Sequence, residues 1–221
     1  AEPHEHHEIR AWSAGCSTGE EAYSLAVLLA EQARIEQSSA KLQVFATDID
    51  DRAIATARTG LYPESVFTDI PPARLREYFS KQQNRYSVKK EIREMVLFAQ
   101  HSLLRDPPFS RLDLIVCRNL LIYLDRDVQR DILKMFHFAL RPGGYLFLGS
   151  SESADLCANL FAPVDKKHRI FRAKAGHTPK RSVPMLPVGV ESAQRSYVPA
   201  QPPSRDARKQ SFAEIHQRVL E

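Results

Sequence analysis

The chain has 221 residues, 43% hydrophobic and 26% charged, with a formal net charge of +4; this fits one α/β domain plus an accessory piece and excludes a fibrous or wholly disordered protein. No apolar run approaches the roughly 18 to 20 residues of a membrane span, and the N-terminus AEPHEHHEIR lacks the regions of a secretion signal. Three scattered cysteines suit neither a zinc site nor a disulfide scaffold, and the basic residues are spread rather than bunched, so the expectation is a cytoplasmic protein with no membrane insertion, no metal and no nucleic-acid partner.

Residues 1–8 read as an N-terminal tail, in which His4, His6 and His7 form a solvated His/Glu run. Ile9 to Ala14 is an apolar strand candidate, followed by the turn Gly15-Cys16-Ser17-Thr18-Gly19 and a helix whose predicted apolar face is Ala22, Leu25, Ala26, Leu28 and Leu29. Leu42 to Thr47 is a second strand ending at Asp48, and Asp50 to Arg58 a second helix capped by acidic residues. An accessory insertion over about 60–95 holds a short helix near Arg74 to Phe79 and a polar hairpin or loop, KQQNRYSVKK.

Met95 to Ala99 and Leu112 to Cys117 then read as buried strands, the second with the continuous apolar run of a parallel sheet covered on both faces. Asp127 to Leu140 is an amphipathic helix predicted to stop at Pro142-Gly143-Gly144, Tyr145 to Gly149 the next strand, and His168 to Lys174 a final edge strand. Residues 175–209 hold six of the 14 prolines and read as a linker; 210–221 turn helical again, as the start of a connector in a chain cut from something longer. Strand and helix alternate through 9–174, which predicts a doubly wound, mostly parallel sheet with its ligand over the carboxyl ends of the central strands.

The first turn departs from GxGxxG, and Glu20 and Glu21 beside it would repel a pyrophosphate. S-adenosyl-L-methionine carries a sulfonium and an ammonium and no phosphate, so an acidic turn suits it, although acids in a first helical turn also complement the helix dipole. Asp48 stands where a carboxylate accepts ribose hydroxyls in nucleotide-type sites, and Asp50 reads as an N-cap. Cys16 and Cys117 read as packed thiols rather than nucleophiles.

Four blocks carry a resemblance: WSAGCSTGEEAYSLA from Trp12, ATDIDDRAIATARTGLY from Ala46, CRNLLIYLD from Cys117 and LRPGGYLFLGSSE from Leu140. In this order they resemble the CheR family of chemotaxis-receptor glutamate O-methyltransferases, in the form found in large bacterial signalling fusions, over about Ile9 to Arg172. The resemblance implies a class I methyltransferase domain that binds S-adenosyl-L-methionine and releases S-adenosyl-L-homocysteine. Its implied cofactor residues are Gly15, Ser17, Gly19, Glu20, Asp48, Ser102, Leu103, Arg118 and Asn119, and Arg118 and Tyr123 are its implied catalytic pair beside the transferred methyl. If the segment after Cys117 is helical, residues 119 and 123 share one face. The implied partners are a chemoreceptor or other signalling protein as substrate, with fused or associated sensory and kinase modules.

The chain departs from the family pattern in having Ser102 where an Asn usually precedes the Leu-Leu pair, a weaker contact to adenine. The family's N-terminal helical domain, with its linker arginine, does not precede Ile9, so an incomplete site is expected; the insertion also lacks the glycine-rich loop of members that tether to a receptor's C-terminal peptide. Two readings compete. One is a non-catalytic cofactor-binding module in a signalling fusion. The other is a nucleic-acid amino-methyltransferase, suggested by Asp106-Pro107-Pro108-Phe109, but that tetrapeptide precedes the fourth strand instead of ending it and reads as a rigid turn.

Overall fold

A computed structural model describes residues 8–68 and 70–175; of the tail predicted over 1–8 only Glu8 is described, and it opens the first strand rather than ending a tail, while the linker beyond Ala175 and the connector lie outside the described residues. The predicted rhythm appears at the start of the chain as β1 (Glu8–Ala14), α1 (Glu20–Ile35), β2 (Lys41–Asp48) and α2 (Asp51–Thr59). The insertion is β3 (Leu61–Pro63), α3 (Pro72–Tyr78), the hairpin β4 (Phe79–Gln82) with β5 (Arg85–Val88), and α4 (Lys90–Arg93). Its strands form a separate sheet in the order β3-β5-β4, all pairs antiparallel. The chain then returns through β6 (Val96–Gln100), β7 (Leu112–Cys117), α5 (Arg126–Ala139), β8 (Leu140–Leu148), β9 (Phe161–Asp165) and β10 (Ile170–Ala173).

The main sheet has the order β6-β2-β1-β7-β8-β10-β9. Its first five strands are parallel, and β10 runs antiparallel to both neighbours. Strand order reverses between β1 and β7, because β1 leads outward to β2 and β6 while β7 leads the other way. That reversal opens a crevice where loops at the carboxyl ends diverge, the position of ligand sites in doubly wound sheets.

Period-two alternation explains how both faces are filled. Trp12 and Ala14 of β1 join a cluster with Ile115, Ile132, Phe136 and Leu146, whereas Ala11 joins Val44 and Ala46 under Ala22, Ala26 and Ile54. Trp12 is fully buried, donates from Nε1 to Thr47 Oγ1 at 2.9 Å, and meets His101, Phe109 and Phe136 edge-on.

Three expectations need correction. The buried stripe of α1 is Ala22, Tyr23, Ala26 and Val27, and Leu28 is 52% exposed; two residues past Ala26 is roughly 200° around the helix, away from the core. Helix α5 ends before the Pro-Gly-Gly stop: Leu140 is already extended, and β8 passes through Pro142 to Gly144 with a register shift opposite Leu112 and Leu114. Pro142 disfavours helical backbone at Arg141, so the helix ends earlier. Finally, β10 is an inner strand, and the rim is β9, whose Pro163 is tolerated at an edge.

Candidate active site

Four loops meet at the carboxyl end of the sheet. Gly15 and Cys16 both donate their amides to Thr47 O, at 2.8 and 2.9 Å, which fastens the turn after β1 to the end of β2. Ser17, with φ of 49°, donates its amide to Asp48 Oδ2 at 2.8 Å, while Asp48 Oδ1 accepts the Asp50 amide at 3.0 Å. Each Asp48 oxygen keeps a lone pair for a further donor such as a hydroxyl. Asp50 caps α2 as predicted, accepting from the amides of Arg52 and Ala53.

The loop after β6 lies beside Asp48, whose carbonyl accepts the His101 amide at 2.9 Å. This brings Ser102 and Leu103 next to the first two loops. Asp106 Oδ2 accepts the Ser102 amide at 2.7 Å, and Phe109 stacks on Phe45 and His101. The turn itself lies at 102–106, where Ser102 O accepts the Arg105 and Asp106 amides, and the Asp-Pro-Pro-Phe run predicted to be a turn instead leaves it as irregular chain whose two ends brace the 101–106 loop.

The loop after β7 closes the crevice. A Cβ on Gly15 (φ 79°) would stand 3.2 Å from Leu120, so the first and fourth loops touch across the switch point. Gly19 serves differently. Its Cα faces inward, and an added Cβ would meet Ala57 at 2.7 Å, Tyr62 Oη at 3.0 Å and Phe98 at 3.1 Å. The glycine lets α1 start close to α2 and β6, with φ of 94° at the N-cap, so it shapes the turn from within.

Glu20 accepts from Thr18 Oγ1 at 2.7 Å, and Glu21 accepts from Ser13 Oγ at 2.9 Å. Arg118 Nη1 is 3.8 Å from Glu21 Oε2, and its guanidinium lies over the Phe147 ring at 5.1 Å. Burial raises the Glu21 carboxyl, partly offset by the Ser13 hydrogen bond and Arg118. The Cys16 thiol is pushed up to about 12 by burial and by Asp48. It stays protonated and is no nucleophile, as the sequence suggested.

Asn119 and Tyr123 do not share a helical face. Asn119 has φ of 58°, and only Leu121–Tyr123 form a turn, of 3-10 type. The backbone must first reverse at Asn119, a residue that tolerates left-handed geometry. Tyr123 is 79% exposed. The fold therefore gathers Gly15, Ser17, Glu20, Asp48, Ser102, Leu103, Arg118 and Asn119 on adjacent loops and turns Tyr123 outward.

Sequence reasoning assigned no role to Glu152, which is 4% exposed and accepts backbone amides from both the β7 and β8 loops. The available signal was a lone acid among small residues directly after an apolar strand. Chemically, the crevice rim carries Glu20, Glu21 and Asp48 against Arg118. That donor set fits a ligand bearing positive charge and vicinal hydroxyls, as S-adenosylmethionine does, and opposes a pyrophosphate.

Comparison with known proteins points to the same cofactor class. A 104.1 kDa protein of Rhodobacter capsulatus is 42% identical over 165 residues, 75% of this chain and 17% of its own length. Chemotaxis protein methyltransferase 1 of Pseudomonas aeruginosa is 40% identical over 172 residues, 75% of this chain and 63% of that protein. The chemotaxis protein methyltransferase of Borreliella burgdorferi is 37% identical over 152 residues, 67% of this chain and 54% of that protein. The chain thus spans less than two thirds of each of these relatives. Residues 1–170 match the family described as CheR methyltransferase, SAM binding domain, and the chain belongs to that family, whose S-adenosylmethionine-binding domain it contains.

Proposed function

We propose that this domain transfers the methyl group of S-adenosyl-L-methionine to glutamate side chains of a chemoreceptor or related signalling protein. The observation that carries the reading is the joining of Ser17 and His101 to Asp48 at the carboxyl end of the sheet, where the first turn also supplies Glu21 paired with Arg118. Family membership and the chemotaxis methyltransferases among the relatives support the acceptor class. Three buried free cysteines suit a reducing cytosol as the place of reaction.

When bound, the cofactor supplies an electrophilic methyl on a sulfonium, taken in line by a carboxylate oxygen as the carbon–sulfur bond breaks and its electron pair stays on sulfur. The acceptor glutamate, with an ordinary pKa near ~4.3, is already ionised at neutral pH, so no residue of this chain has to remove a proton. The protein's contribution is orientation, a contribution of up to roughly 7 to 11 kcal/mol when alignment is good. Asp48 is suited to hold ribose hydroxyls and Glu20 to meet the ammonium. Asn119 would flank them, and Ser102 with Leu103 would border adenine. Arg118, held between Glu21 and Phe147, presents a cation to the incoming carboxylate, with Tyr123 at the mouth.

Calorimetric titration of the chain with S-adenosylhomocysteine, with Asp48→Ala in parallel, tests the cofactor half of this reading. Saturable binding by the wild type and its loss in the variant are expected; equal binding by both would sink the site. Transfer of labelled methyl to receptor glutamates, lowered by Arg118→Ala, tests the other half. The outward position of Tyr123 favours a second reading, a cofactor-binding module without turnover, which binding without transfer to any carboxylate would establish.

A further inference from the structure

The segment that carries Arg118 and Asn119 is not rigid by its own secondary structure. It has one left-handed residue and a single 3-10 turn, and such loops ordinarily sample several conformations. Its backbone amides, however, converge on one carboxylate. Glu152 Oε2 accepts from Asn119 at 3.1 Å and from Gly149 at 2.6 Å, and Oε1 accepts from Leu120 at 2.9 Å and Leu121 at 2.8 Å. Four hydrogen bonds from backbone satisfy an ion that is 4% exposed and whose burial would otherwise be costly.

The topology explains why one side chain can reach both loops. Cys117 and Leu148 are register partners at the ends of β7 and β8, so the two chains leave the sheet side by side. Gly149 completes the fit: a Cβ there would stand 2.6 Å from Glu152 Oε2 and 2.7 Å from Asn119 Oδ1. Only glycine leaves space for the carboxylate and the Asn119 side chain together.

We propose that Glu152 is the positioning residue of the site, its carboxylate fixing the left-handed turn at Asn119 and thereby the placement of Arg118 and Asn119 toward the cofactor. The inference rests on the functional reading above and adds to it the group that sets the geometry. Glutamine is nearly isosteric but carries only one acceptor oxygen. Whichever way its amide turns, an NH2 faces two backbone N–H groups, so two hydrogen bonds are lost and donors oppose donors.

The test is calorimetric affinity for S-adenosylhomocysteine in the wild type, Glu152→Gln, and Phe161→Ala, a core variant on the rim strand β9 whose pairing through Ala173 places it toward the amino end of β8, opposite the crevice, and which lowers the melting temperature by cavity formation. The expected result is an affinity at least tenfold weaker in Glu152→Gln, with Phe161→Ala binding as the wild type does despite its lower stability. Affinity of Glu152→Gln within twofold of the wild type overturns the proposal and leaves the functional reading standing, whereas a wild type that does not bind overturns both. If Glu152→Gln fails to fold, amide hydrogen exchange on the ligand-free wild type decides. The amides of Asn119, Leu120, Leu121 and Gly149 should exchange as slowly as those inside β7, and exchange as fast as at the exposed Ser150 would overturn the proposal.

Discussion

Gly19→Ala gives the sharpest test of how the first turn is built. Its Cβ would lie 2.7 Å from the Ala57 methyl, which sits on the rigid α2, and 3.1 Å from buried Phe98, at a backbone φ of 94°. Holding an L-residue in left-handed geometry costs about 1 to 2 kcal/mol, and overpacking a filled interior about 1 to 3 kcal/mol more, so a loss of about 3 kcal/mol is expected. For a chain of this size each kcal/mol lowers the melting temperature by about 2 to 4 °C, giving a fall of roughly 6 to 12 °C by circular dichroism. Gly60→Ala is the internal comparison. Its φ of 59° and ψ of 27° lie in the left-handed basin open to L-residues, and its nearest contacts are the Tyr23 hydroxyl at 3.2 Å and the flexible Arg93 side chain at 3.3 Å, so the low end of that cost, about 1 kcal/mol, and a fall of only about 2 to 4 °C are expected. If Gly19→Ala melts at or above Gly60→Ala, the inward packing assigned to Gly19 is wrong.

Two further outcomes follow from the buried ionisable groups. Burial raises the carboxyl of Glu21, so the fold favours its protonated form, and that stabilisation is complete below the ordinary carboxylate pKa and lost as pH rises through the folded value. Glu21→Gln should therefore be at least as stable as the wild type at pH 7, with the wild type catching up toward pH ~4; thermal melts in which the variant gains further in acid would refute this. The thiols of Cys16, Cys117 and Cys157 are buried, free and all raised above the ordinary thiol range by burial. A thiol reagent at pH 8 should label them only on unfolding, and rapid labelling of one thiol in the native chain would contradict the packing around it.

Much of the fold was legible because its signals are local and periodic. The run Leu112 to Cys117 became a strand with those same bounds, and Asp50 became the cap it resembles. The meeting of the first turn with Asp48 was legible because turn glycines and a strand-end carboxylate have fixed places in a doubly wound sheet, whereas Ser17, implied only by the resemblance, is brought to Asp48 by its amide. The misreadings came from competition between neighbours in space. Leu28 has the right residue type but the wrong azimuth on α1, and β10 reads as an edge until β9 folds back beside it. The loop after β7 was hidden for a related reason. Its conformation is set by Glu152, more than thirty residues downstream, and no periodicity in CRNLLIYLD could disclose that.

The two glutamates at the start of α1 show how such spatial context divides residues that look equivalent. Adjacent positions on a helix point about 100° apart, so only one of them can face back toward β1. The alternation of that strand sends Trp12 and Ala14 to the α5 side and Ala11 to the α1 side; Ser13, of the same parity as Ala11, reaches Glu21 from below. Glu21 is thereby half-buried, tied to the sheet and directed at Arg118. Among the described residues Glu20 accepts a side-chain hydrogen bond from Thr18 alone, within its own turn, and is not tied to the sheet. In the proposed reaction the first turn thus supplies two separate functions: Glu20 meets the positive end of the cofactor, and Glu21 steadies the cation that receives the acceptor carboxylate. A carboxylate at only one of these positions would leave either the cofactor's ammonium or the arginine without its partner, which is a physical reason for the doubled acid at the start of this helix.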